Sequence, residues 1–171
     1  MKNPFSDLTK QERIIYCTSL AVVGISCMLS PLDSPFIVIA CLIGVTALIF
    51  VAKGYVIGQI LTAVFALIYG IVSYDLQYYG EMITYLGMSA PIALLSAYTW
   101  WKHPYKQTKV VEVYKLGKKD ICCTFFYALL TTLIFYYILL SLNTSGFYLS
   151  TLSVTTSFLA CYLTYLRSPY Y

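Results

Sequence analysis

The residues able to do chemistry in this chain of 171 residues are aromatic and hydroxylic rather than ionisable. Its 18 tyrosines, with Trp100 and Trp101, offer faces on which a flat ring can stack and over which a cation can sit. Ser96, Thr99, Ser150, Thr151, Ser153, Thr155, Thr156 and Ser157 offer hydroxyls able to bond a sugar. Together these types suit an uncharged or cationic heterocycle that carries a sugar. The same residues also build interfacial aromatic belts and bond back to their own helices, so composition leaves a solute site and ordinary packing both open. Catalysis is a poor fit. The single histidine, His103, sits between Lys102 and Pro104, and there is no GxSxG elbow, HExxH pair, phosphate-binding loop or paired carboxylate inside an apolar stretch. Cys17, Cys27, Cys41, Cys122, Cys123 and Cys161 contain no CxxC spacing, so neither a redox couple nor a zinc cluster is expected, and no cofactor or metal with it.

The elements that must position these residues are six apolar stretches, 14–29, 36–52, 55–74, 82–100, 121–142 and 147–166, none of which contains Asp, Glu, Lys, Arg or His. At about 1.5 Å per residue they are ~24–33 Å long as helices, the thickness of a bilayer's hydrocarbon core. The basic residues alternate between connections. Lys2, Lys10 and Arg13 precede the first stretch, Lys53 follows the second, Lys102, Lys106, Lys109, Lys115, Lys118 and Lys119 follow the fourth, and Arg167 follows the sixth. The intervening connections hold only Asp33, Asp75 and Glu81. Cationic connections stay in the cytoplasm, which predicts an all-α, polytopic protein of the cell membrane, with six transmembrane helices and both termini cytoplasmic.

With 60% hydrophobic and 11% charged residues, a soluble globule could not cover itself with polar surface. The net charge of +4 reads as topology and not as a nucleic-acid footprint. The lysines of residues 102–120 read as a solvated cytoplasmic linker, with anionic lipid headgroups as the alternative partner. Stretch 14–29 is expected to be retained, because Asp7 and Glu12 precede it and Ser30-Pro31-Leu32-Asp33 is a poor leader-cleavage site. Gly54 is expected to cap a helix in a left-handed conformation, and Glu81 to complement a helix dipole. The pairs Gly54/Gly58, Ala66/Gly70, Ala40/Gly44 and Ala93/Ala97 have the four-residue spacing of close helix packing, and Pro91 interrupts the backbone bonding of its helix. Asn143-Thr144-Ser145 fits a glycosylation sequon.

Val51-Ala52-Lys53-Gly54, Leu67-Ile68-Tyr69-Gly70, Tyr78-Tyr79-Gly80-Glu81, and Pro91 followed by Trp100 and Lys102 stand in the order found in one transporter family. With the hydroxyl-rich stretch that ends at Arg167, the chain resembles the PnuC nicotinamide riboside transporters over about three-quarters of its length. The resemblance implies two three-helix bundles joined by a linker helix, the 3+1+3 arrangement of the sugar-transporting SWEET proteins. On that template 14–29 is an extra helix, 36–100 the first bundle, 102–120 the cytoplasmic linker, 121–142 the linker helix and 147–166 the first helix of the second bundle. Two further helices are expected after Arg167, so the chain reads as a fragment or as one that completes its bundle with another subunit, such as a second copy of itself. Ala93 stands where many members carry Gln, which turns the expectation from nicotinamide riboside alone toward related vitamin precursors and nucleosides. Residue type and family position together nominate Tyr98, Trp100, Ser153 and Thr156 as solute-binding residues. The implied activity is facilitated uptake. The alternatives are a substrate-capture subunit of an energy-coupling-factor transporter and a membrane scaffold without a solute.

Overall fold

Main-chain bonding decides where each apolar stretch starts and stops. The structure, a computed structural model, describes residues 7–29, 35–141 and 147–169. Six helices occupy them: α1 (Lys10–Leu29), α2 (Pro35–Ala52), α3 (Val56–Asp75), α4 (Tyr79–Lys102), α5 (Lys118–Ser141) and α6 (Phe147–Tyr165). The sequon at Asn143 lies outside the described residues. By length and composition α1, α3, α4 and α5 can each cross a membrane; Phe36–Ala52 is apolar but shorter. The remaining helix, α6, carries seven Ser and Thr residues.

Helix α1 opens on a capping box, with the Thr9 N–H donating to Glu12 Oε2 at 2.7 Å and the Glu12 N–H to Thr9 Oγ1 at 3.3 Å. Three other helices end on left-handed caps. Gly54 ends α2 with φ 74°, the Tyr55 N–H reaching Phe50 O at 2.9 Å and the Gly54 N–H reaching Val51 O at 2.8 Å. Gln77 does the same for α3 (φ 62°) and Arg167 for α6 (φ 58°). In each, the paired bonds satisfy carbonyls that a helix end leaves without partners.

Helices α2, α3 and α4 pack as a group, and small residues let them approach. Ala40, Ala63, Ala66, Ala93 and Ala97 are buried. A methyl group on Gly58 would lie 2.5 Å from the Val51 nitrogen, and one on Gly70 would lie 2.5 Å from Leu86 Cγ. The packing role read into the four-residue spacings is therefore present at α2–α3 and α3–α4. Helix α4 accommodates Pro91 by widening. A π-helical turn at Thr84–Ser89 directly precedes the proline, which cannot donate to Gly87 and crowds its carbonyl. Helices α5 and α6 pack against each other and α6 against α4, around Met88, Ala128, Phe135, Leu139, Val154 and Phe158.

The 103–117 connection folds back on the bundle. It contains a short 3-10 turn at Tyr105–Gln107 and isolated antiparallel bridges, Tyr55 with Val110 and Pro104 with Val111. Val111 is buried and donates its N–H to Gly54 O at 2.9 Å, while the Tyr114 N–H reaches Arg167 O at 3.0 Å. Its lysines remain exposed. At the same end Lys53 pairs with Glu12 at 2.8 Å, and Tyr55 donates to Asp7 Oδ2 at 2.8 Å.

Candidate functional site

Helices α4 and α6 carry the residues nominated from sequence, and their packing separates them. Trp100, near the end of α4, is fully buried and donates its indole N–H to Thr164 O at 2.9 Å. The end of α6 makes that acceptor available, since terminal carbonyls lack the usual intrahelical partner; this one also accepts the Arg167 N–H at 3.0 Å. Trp100 thus ties α4 to α6. Tyr98, two positions earlier and so on a different face of α4, is exposed, with Lys102 Nζ 4.5 Å above its ring. Ser153 and Thr156 are on the exposed side of α6, opposite the buried Val154 and Phe158. They lie roughly 12–16 Å along the helix from Thr164. The Thr156 hydroxyl donates to Ser153 O at 2.9 Å, a local bond that leaves its lone pairs open to a donor. The four nominated residues therefore do not converge on one point: Ser153 and Thr156 share a face, and Tyr98 and Trp100 stand apart from it.

Two aromatic groups flank α4. On the α3 side, Tyr85 of the π turn meets Tyr69 (ring centroids 4.6 Å apart) and Phe65 (5.8 Å, edge to face). The Tyr69 hydroxyl donates to Glu81 Oε2 at 3.2 Å, so a carboxylate closes the group. Such a set, aromatic faces beside one negative charge, favours a cationic ring. On the α6 side, Tyr162 stacks on Phe158 at 5.6 Å and meets Tyr127 of α5 at 5.7 Å. Nearby, the Thr132 and Thr155 hydroxyls bond across α5 and α6 at 2.8 Å.

Gln59 is the residue that sequence reasoning passed over. It is 2% exposed, and its Nε2 has no hydrogen-bond partner among the described residues. The signal was available, for Gln59 is the one carboxamide within the six apolar stretches. Among the described residues no group of three or more His, Cys, Asp and Glu could hold a metal ion.

The family model described as nicotinamide mononucleotide transporter matches residues 34–170. The chain belongs to that family. Helix α1 precedes the matched residues. A solved structure titled as the crystal structure of the vitamin B3 transporter PnuC superposes with a TM-score of 0.76 at 23% sequence identity. The match covers 94% of this chain and 70% of that one, and at this identity it shows the fold. No curated protein matches the chain. Membership makes the protein a membrane transporter and not an enzyme, and its helices α2 to α6 are those that the nicotinamide mononucleotide transporter family shares.

Proposed function

We propose that the protein mediates facilitated uptake of nicotinamide riboside or a related vitamin precursor or nucleoside across the cell membrane. The observation that carries this reading is the family match over 34–170, and the vitamin B3 title of the superposed transporter agrees with it. The aromatic group closed by Glu81 supports a cationic pyridinium ring as cargo. Ser153 and Thr156 on α6 and Tyr98 on α4 remain the proposed hydroxyl and aromatic contacts of the solute, reached separately from that group. Trp100 acts from behind by holding α6 in place.

All six helices cross the bilayer in this reading, in the first part of a 3+1+3 architecture. Residues 36–100 form the first bundle, 102–120 the cytoplasmic linker, 121–142 the linker helix and 147–166 the first helix of a second bundle, with 14–29 an added helix. A homo-oligomer of such chains belongs to the same reading. The gathering of Lys53, the linker lysines and Arg167 at one end of the helices supports an orientation with both termini in the cytoplasm.

The test is uptake of radiolabelled nicotinamide riboside into proteoliposomes made with the purified protein, run beside thiamine and a deoxynucleoside. Saturable uptake of one solute, lowered in a Ser153→Ala/Thr156→Ala double variant of unchanged thermal stability, is expected. Absence of uptake and of calorimetric binding for all three overturns the reading.

A further inference from the structure

A cleft of about 280 Å³ opens at the lysine-bearing end of the helices, between Thr99 of α4, Tyr114 of the linker, Asp120 of α5 and Tyr165, Leu166 and Arg167 at the end of α6. Its charged groups are poorly matched to each other. Arg167 Nε is buried without an acceptor, and no carboxylate lies within ion-pair distance of Arg167 among the described residues. A buried donor left unpaired is costly, and for a charged group more so. Arg167 also occupies the left-handed position of the α6 cap (φ 58°), a place where glycine is the unstrained choice. The chain thus places a guanidinium where the backbone favours no side chain.

That guanidinium rests against one aromatic ring. It lies 5.8 Å over the ring of Tyr114, whose N–H bonds Arg167 O at 3.0 Å and whose O–H bonds Asp120 Oδ2 at 3.1 Å. Asp120 Oδ2 also accepts the Gly117 N–H at 2.9 Å, while its other oxygen has no partner among the described residues. The cleft therefore presents a half-buried guanidinium without a carboxylate partner and a carboxylate with one unengaged oxygen, with Tyr114 and Tyr165 also in its lining. A ligand that satisfies both carries an anionic oxygen group and a hydroxyl donor.

We propose that this cleft binds a phosphate ester bearing a free hydroxyl. Arg167 receives the phosphate oxygens and Asp120 accepts the hydroxyl. Lys115, Lys118 and Lys119, all exposed beside the cleft, raise the local concentration of anions. The chemistry is shared by a soluble sugar phosphate and by the headgroup of phosphatidylglycerol, and the experiment separates the two. It reads binding and not flux, so its outcome is independent of the solute assigned above.

Full-length protein in neutral detergent is titrated calorimetrically with ribose 5-phosphate and with ribose. Its thermal unfolding is followed in phosphatidylcholine discs with and without phosphatidylglycerol. Saturable binding of ribose 5-phosphate but not ribose identifies the soluble source, and stabilisation by phosphatidylglycerol alone identifies the lipid. In either case Arg167→Gly weakens the response roughly ten- to hundredfold, the effect of losing hydrogen bonds to a charged group. Because glycine suits the cap, this variant unfolds at or above the wild-type temperature, and Arg167→Lys, which keeps the charge, retains part of the response. No response to either phosphate ester, or one undiminished in Arg167→Gly, overturns the proposal.

Discussion

Replacing Gly58 by alanine sets two effects of opposite sign against each other. Alanine is the better helix former, by about 1 kcal/mol, and at an open site would stabilise α3. At Gly58 the new methyl would lie 2.5 Å from the Val51 nitrogen and 2.7 Å from the Phe50 carbonyl carbon, about 0.9 Å short of an ordinary contact. Those neighbours are backbone, so no side chain can rotate away, and α2 and α3 must separate. Separation strains the bonds that close their turn, from the Tyr55 N–H to Phe50 O at 2.9 Å and from the Gly58 N–H to Tyr55 O at 2.9 Å. Overpacking of this kind costs about 1–3 kcal/mol and a weakened hydrogen bond about 1 more. Clash outweighs propensity, leaving a net loss of about 1–3 kcal/mol, or a fall in Tm of roughly 3–10 °C for a chain of this size. Intrinsic-fluorescence thermal unfolding in detergent measures it. Gly24→Ala is the control, because nothing lies within 4 Å of a methyl group there; propensity then acts alone and Tm rises by a few degrees. A Gly58→Ala protein that unfolds at or above the wild-type temperature would refute the close approach of α2 and α3.

Trp100→Phe loses the indole bond to Thr164 and should cost about 1 kcal/mol, whereas Trp100→Ala empties a fully buried site and should cost about 3–5 kcal/mol, both read from the same melts. A double-mutant cycle of Thr132→Val with Thr155→Val should return a coupling of about 0.6 kcal/mol, the typical strength of a hydrogen bond between membrane helices; a coupling near zero would mean the hydroxyls do not meet. The Asp120 carboxylate that accepts its O–H holds the Tyr114 phenol above its usual value. The stability this bond lends is therefore full below about pH 10 and lost as pH rises through the raised value. Absorbance titration of wild type minus Tyr114→Phe should show the shift, and Asp120→Asn should bring the phenol back toward its ordinary range.

What the sequence disclosed, it disclosed through patterns that act over one element. Uncharged stretches of bilayer length place the six helices to within a few residues, Gly54 marks its own left-handed cap, and Ala66/Gly70 and Ala93/Ala97 mark packed faces. The capping box at Thr9 and Glu12 was equally readable. Pro91 signals a disturbed helix but does not say that the disturbance is a π turn one step earlier. Gln77 and Arg167 could not be read as left-handed caps, because neither residue type favours that conformation and only the carbonyls around them require it. The separation of Trp100 from Ser153 and Thr156 depends on how α4 crosses α6, a tertiary fact with no local signal. Residue type alone therefore grouped side chains that the packing keeps apart.

The main-chain bonds of the linker carry a mechanical consequence. Val111 N–H to Gly54 O fastens the linker to the α2 cap, Tyr114 N–H to Arg167 O fastens it to α6, and the indole of Trp100 joins α4 directly to α6, all at the same end of the helices. Any rotation of one group against the other must pivot at the fastened end, where displacement is smallest. Over a helix about 30 Å long, a tilt of about 10° moves the far end by roughly 5 Å, while the fastened end barely stirs. The lysine-bearing end is thus the fulcrum of the bundle, and any displacement grows with distance from it.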